Sequence, residues 1–321
     1  MSQAVQKTLA ARMTIDPEKA SKTIEDFLLG KLNEAKAGGI LLGLSGGLDS
    51  ATAAVLAARA VGAENVFAQH LFDRDSQGKF LEYARGLAEI LRIHFEVRDI
   101  TPLVEKAGAC EPAVFGRKGT GGGLHRWVHR LSRHFYSLTH AGHPALSTLK
   151  RTGVVRNRFT RAVSRFLRKP VIQGFQTKHI VRRQVLEKEA AERGLLLIGA
   201  ANRSEWLIGW FVKDGVDDLP IEPLLGLYKS QVYQLARFLD VPSEILAEPP
   251  SPDMFQGLSD ETMIGCSWEK TDRVLCVLMN GLDKALALAE GVTADEFHRI
   301  RTRHELSSAK REGLHDYPSI E

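Results

Sequence analysis

Apolar and polar positions follow two rhythms along this chain, short continuous apolar runs and stripes of helical period. Residues 16–36 place Ile24, Phe27, Leu28 and Leu32 on one stripe, which predicts an amphipathic helix. Residues 41–44 form a mostly apolar run leading into a glycine pair and read as a short buried strand. Alanines, valine and leucine from about residue 51 to residue 61 predict a helix, with Asp49 or Ser50 placed to cap it. The pattern repeats with a strand at 65–71, a helix over about 76–91 and a strand from 94 through 97 that ends at Asp99. That second helix carries Leu81, Ala84, Leu87, Ala88 and Leu91 at helical spacing. Pro102 then opens a short helix. The β-α-β-α-β order predicts an α/β protein built on a doubly wound parallel sheet, whose ligands sit at the carboxyl ends of the strands.

Regular structure resumes near Gln176 with a helix to about Arg193 and a strand at 195–198. The C-terminal part is helical. Residues 227–239 are amphipathic, 243–246 make a short turn of helix, and 259–264, 268–279 and 295–310 give further helices. A polar tail closes the chain, and no internal repeat is present.

Composition narrows the class. The chain has 321 residues, 44% hydrophobic and 26% charged, as in soluble globular proteins. We read it as a single domain over 1–321. No apolar run approaches the roughly 20 residues of a membrane helix, and the first residues lack an apolar export core, so the expected location is cytoplasmic. Cys110, Cys266 and Cys276 are too few and too scattered for a disulfide framework or a structural zinc site.

Charge is uneven. Residues 112–186 hold sixteen Lys and Arg and no acid, against a net charge of +4 for the whole chain, so the remainder is net acidic. Arg126, Arg130 and Arg133, and then Arg158, Arg161, Arg165 and Arg168, recur at helical spacing, which predicts two basic helices. We assign 112–175 as a basic insertion. It is a lid over a polyanionic substrate, a grip for RNA, a contact for anionic lipid, or a charge-biased loop without a partner.

The chemistry centres on SGGLDS, residues 45–50. A strand, a glycine turn and a helix N-terminus make a phosphate site, because bare backbone N–H groups and the helix dipole both favour an anion. A glycine pair there also serves as a plain tight turn. No Lys follows the glycines, so this is not the P-loop. An Asp beside phosphates is most useful holding Mg²⁺. The segment resembles the PP-loop of the ATP pyrophosphatase superfamily, S-G-G-x-D-S, whose members split ATP between the α- and β-phosphates and transfer AMP. That likeness implies an adenine nucleotide α-hydrolase-like fold.

Downstream stand GAANRSE (199–205), FVKDG, PLLGLYKSQV, EPPSPD, SWEKTDRVL and AKRE, in that order. The succession resembles the ammonia-dependent NAD⁺ synthase family over residues 41–99 and 176–311. The resemblance implies a ligase that adenylates a carboxylate of deamido-NAD with ATP and Mg²⁺, after which ammonia displaces AMP. It implies that Ser45, Gly46, Gly47, Asp49 and Ser50 bind ATP, and Leu71 to Ser76, at the carboxyl end of the second strand, are placed to flank the adenine. Asp49 and Glu205 would hold the metal, Lys229 would reach a phosphate as pyrophosphate leaves, and Ser251 would lie near the nucleotide. Arg182, Lys213, Asp253 and Lys310 match positions on the acceptor side, and Asp217 or Asp218 stands in for a family loop acid if the loop after Lys213 slips in register. A homodimer fed by free ammonia or a separate subunit is also implied, since the length leaves no room for a glutaminase domain.

The pattern departs from the family at Ala200, Ile180, Ala309 and the loop after Lys213, where the family's GDGG is absent. Most of the ATP and metal positions are kept, while the acceptor positions are eroded. A synthase-like ligase for another carboxylate is therefore the alternative. An RNA-modifying PP-loop enzyme is a third reading, which the sparse cysteines disfavour.

Overall fold

The computed structural model describes residues 8–109, 158–250 and 259–320. Two helices come first, α1 (Leu9–Met13) and α2 (Pro17–Ala35). Asp16 caps α2 by accepting the Glu18 and Lys19 N–H groups, each at 3.1 Å, and Pro17 fills the first helical position. Then follow β1 (Ile40–Gly43), α3 (Leu48–Val61), β2 (Val66–Phe72), α4 (Gly78–Leu91), β3 (His94–Asp99) and α5 (Thr101–Lys106). Next come the long helix α6 (Arg158–Arg193), β4 (Leu196–Ile198) and α7 (Arg203–Leu207). The remaining helices are α8 (Lys229–Phe238), α9 (Ser243–Ala247), α10 (Asp260–Ile264), α11 (Trp268–Met279), α12 (Lys284–Ala289) and α13 (Ala294–Leu306).

The strands form one parallel sheet in the order β3-β2-β1-β4. β1 is central, with Leu42 opposite Ala68 on one side and Ile198 on the other. Alternation along a strand sends its side chains to opposite faces. Ile40, Leu42 and Leu44 join a core with Ile24 and Leu28 of α2 and Val232 and Leu235 of α8. Leu41 packs on the other face with Val181, Val185 and Leu186 of α6 and with Ile100. A third core, in the helical C-terminal part, gathers Ile264, Trp268, Leu275, Phe297 and Ile300 around Leu9 and Met13 of α1. Among the described residues, no helix is long and apolar enough to cross a membrane.

Several boundaries differ from those expected. α3 starts at Leu48 with Gly47 as an extended N-cap, so Asp49 and Ser50 lie in the first turn and neither caps it. The helix expected from Gln176 is already under way at Arg158. Neither α1 nor α12 is marked by sequence period, since five or six residues hold too little of it. The first arginine stripe lies outside the described residues, while the second, Arg158 to Arg168, falls on the opening turns of α6.

Candidate active site

The sheet's central strand delivers the glycine turn. Past β1, Leu44 continues the pairing, with its N–H on the Gln69 carbonyl at 2.9 Å and its own carbonyl 2.8 Å from His70 Nδ1. Burial lowers the His70 pKa, so a neutral ring donates that bond. The chain then turns sharply at Gly46, at φ +87, against the Phe80 backbone. A Cβ there would overlap the Phe80 carbonyl, so only glycine fits. Two serines brace the turn. Ser50 Oγ accepts the Ser45 N–H at 3.2 Å and donates to the Gly47 carbonyl at 3.1 Å. Ser45 Oγ lies 2.9 Å from Ser50 Oγ and accepts the Gly47 N–H at 3.2 Å. Serine hydroxyls thus stand where an anion's oxygens would be received.

Three charged groups converge beside this turn. Asp49 comes from α3, Glu205 from α7 after β4, and Lys229 is the first residue of α8. Lys229 is only 2% exposed; its ammonium pairs with Asp49 Oδ2 and lies 3.4 Å from Glu205 Oε1. Asn202 ties the Asp49 carboxylate to the start of α7, because its Oδ1 caps α7 by accepting the Glu205 N–H at 3.0 Å while its Nδ2 donates to Asp49 at 3.1 Å. Burial pushes the Glu205 carboxyl up to about 8 against the pull of Lys229, with Asp49 and Asp260 adding to the rise. Burial alone would lower Lys229, but Asp49 and Glu205 outweigh it and hold the ammonium charged. Asp260, at the start of α10, is raised to about 6 by burial, opposed by Lys229 and by a bond from Trp210.

Glu222 supports this cluster from beneath. It is fully buried and accepts the Ala201 N–H at 2.7 Å and the Leu219 N–H at 3.0 Å. Burial raises it well above the ordinary carboxylate range. Its carboxyl fills the space a side chain at Gly199 would need, which accounts for the glycine that opens GAANRSE.

A second cluster joins residues 206–218 to 304–316. Lys310 Nζ donates to the Gly209 carbonyl at 2.8 Å and to that of Phe211. Burial lowers Lys310 to about 8, with Asp217 and Asp218 opposing. Lys213 donates to the Glu312 carbonyl. Asp217 lies 3.1 Å from His179 Nδ1 and accepts the Val212 N–H at 3.1 Å. Arg182 pairs with Asp73 at 2.9 Å, and Lys178 bridges Asp73 at 2.9 Å and Asp75 at 2.6 Å. The cations expected on the acceptor side are therefore engaged by protein groups. Leu71 sits in the core with Ile100 and Val104, and its carbonyl is 3.4 Å from Arg182 Nε. Ser251 and Asp253 lie outside the described residues.

Sequence reading did not assign Asn202, Glu222, Asp260 or Asp272. Glu222 left a signal, an acid inside the apolar run Leu219 to Leu225. Asn202 and Asp272 were visible only as letters within longer motifs.

A glycine turn at the end of the central parallel strand, closed by carboxylates and a lysine from neighbouring loops, defines an α/β nucleotide-dependent enzyme of the PP-loop type. The chain belongs to the NAD synthase family, whose profile matches residues 20–114 and 168–313. An NH(3)-dependent NAD(+) synthetase of Thermotoga neapolitana is 34% identical over 82% of this chain and 85% of its own length. One from Coprothermobacter proteolyticus is 32% identical over 87% of this chain and 88% of its own. Among solved structures, an NMN synthetase of Francisella tularensis superposes with a TM-score of 0.65 at 24% identity, covering 94% of this chain and 99% of that one. An NH3-dependent NAD synthetase from Campylobacter jejuni gives 0.60 at 20% identity, with coverages of 94% and 99%. These two likenesses concern the fold.

Proposed function

We propose that this chain is an ATP- and Mg²⁺-dependent ligase that adenylates the carboxylate of deamido-NAD and amidates it with ammonia. The observation that carries the reading is the convergence of Asp49, Glu205 and Lys229 at the mouth of the SGGLDS turn. The residues suit a hard divalent ion. Two carboxylate oxygens already share one buried cation, and Mg²⁺ on a nucleotide takes one or two carboxylates plus phosphates. Among the described residues no three His, Cys, Asp or Glu side chains form a metal cage, so phosphates and water would complete the shell. Bound there, Mg²⁺ would neutralise the phosphates and orient them.

The chain's own groups have simple tasks. The Ser45 and Gly47 N–H groups receive phosphate oxygens once the serine hydroxyls give way. Lys229 stands at the mouth of the turn, where its ammonium would offset the charge growing on the departing pyrophosphate. No side chain needs to be a nucleophile. The acceptor's carboxylate attacks the α-phosphorus, ammonia then attacks the acyl carbon, and AMP leaves. Catalysis is positioning and charge stabilisation. We place the enzyme in the cytoplasm as a homodimer using free ammonia, with the basic insertion available to an anionic partner.

One observation favours a second reading. Arg182, Lys213 and Lys310 are each bonded to protein groups, and Ala200, Ile180 and Ala309 replace family side chains. A carboxylate other than deamido-NAD fits that erosion. Pyrophosphate release with ATP, Mg²⁺ and ammonium separates the two. Release that requires deamido-NAD supports the first. Release that ignores it but responds to another carboxylate, nicotinate mononucleotide among them, supports the second.

A further inference from the structure

Asp272 lies in the second turn of α11, remote in sequence from every residue assigned above, and is fully buried. Its two oxygens have separate partners. Oδ1 accepts the Ser204 hydroxyl, and Oδ2 accepts the Ser230 N–H at 2.8 Å. Ser204 Oγ in turn accepts the Lys229 N–H at 2.8 Å. The first backbone N–H groups of a helix have no partner within it. Tyr228 precedes α8 without a side-chain cap, so Ser204 and Asp272 supply the acceptors that Lys229 and Ser230 need. Ser204 immediately precedes Glu205, and Ser230 immediately follows Lys229. One carboxylate therefore clamps the starts of both helices that present the metal carboxylate and the phosphate lysine. Ser204 is also fully buried, so the clamp is shielded from water.

We infer that Asp272 is a positioning residue for adenylation, which sets Glu205 and Lys229 at their working separation through the Ser204 hydroxyl and the Ser230 amide. It touches no substrate. The inference rests on the roles proposed for Glu205 and Lys229, but not on which carboxylate is amidated. Groups that orient metal ligands from behind are typically worth about 10–100-fold in metal affinity or activity.

The test uses the full chain, an ATP analogue with a methylene bridge between the α- and β-phosphates, and Mg²⁺ titrated under calorimetry, so that binding is read without turnover. Asp272→Asn keeps the shape but replaces one acceptor with a donor, so it cannot receive both the Ser204 hydroxyl and the Ser230 N–H. Ser204→Ala removes the hydroxyl alone and carries the test if the first variant does not fold. In folded variants, the Mg²⁺ needed for half-maximal analogue binding should rise about tenfold or more, and kcat should fall. The KM for ammonia should stay within about twofold of the parent. The double variant should cost no more than the worse single one, because both break the same relay. Wild-type Mg²⁺ dependence in both folded variants overturns the inference, as do losses that add. Because the readout is nucleotide binding, a parent protein that ignores deamido-NAD would sink the proposed acceptor and leave this test standing.

Discussion

Lys229 and Asp49 stand 180 residues apart and meet as an ion pair whose lysine is buried and whose carboxylate is partly exposed, with Glu205 as the ammonium's second partner. Two acidic groups facing one cation, largely out of water, depend on that cation for stability. Lys229→Met should therefore lose about 3 kcal/mol of stability, the usual result of stranding a buried charge. Added Mg²⁺ should restore part of it, since the ion replaces the lost positive charge. Melting curves with and without Mg²⁺ check this. The variant's Tm should respond to the ion more than the parent's, and pyrophosphate release should fall at least about 100-fold. An equal Mg²⁺ response in the two proteins would show that the carboxylates do not share a cation site.

Glu205 provides a pH dependence. Its carboxyl is raised from 4.5 to about 8, so the fold favours the protonated form. Its contribution to stability is whole below about 4.5 and is lost as pH rises through about 8. Metal binding has the opposite slope, because the ion needs the carboxylate and must displace a proton. Mg²⁺ affinity should climb by up to about tenfold per pH unit and level off above pH 8. Glu205→Gln should flatten both curves and abolish pyrophosphate release. Denaturant titrations and calorimetry over that range measure the two slopes.

The two loop glycines should respond differently to alanine. Gly46 has a positive φ and no room for a Cβ, so Gly46→Ala should cost about 1–3 kcal/mol in backbone strain before the overlap with Phe80 is counted. Gly47 has φ −90 and its nearest neighbour to an added Cβ is Ser45 Oγ at 3.4 Å. Gly47→Ala should keep the parent's Tm and weaken nucleotide binding, because the methyl group occupies the phosphate approach. A Gly47→Ala protein that binds the ATP analogue normally would remove this turn from the site.

What the sequence made legible follows the range of each signal. The parallel sheet was visible because β1, β2 and their helices each carry their own period. SGGLDS and GAANRSE were visible because a phosphate turn must be written in consecutive residues. Glu222, Asn202 and Asp272 escaped because their partners are distant: Ala201 is 21 residues from Glu222, and Ser204 is 68 from Asp272. The start of α3 was misplaced for a related reason. Asp49 has the composition of a cap, but its carboxylate is drawn away to Lys229 and Asn202. On the acceptor side, motif matching located Lys213 and Lys310 without showing that backbone carbonyls hold them.

The basic insertion can be tested by removing it. Its flanks meet in space, since a Cβ on Gly174 would lie 3.3 Å from the Ala109 carbonyl oxygen. Ala109, Val181 and Val185 share one core, so the sheet-facing part of α6 is anchored independently of what precedes it. The family profile also stops at residue 114 and resumes at 168. Excising residues 119–170 should leave a folded protein that binds the ATP analogue with the parent's affinity. If the segment grips a polyanion, the parent should bind tRNA on filters with an affinity that falls steeply between low and moderate salt. The excised protein should lose that binding and its salt slope. Loss of nucleotide binding on excision would instead make the insertion part of the ATP site, and tRNA retention by the excised protein would move the anionic surface elsewhere.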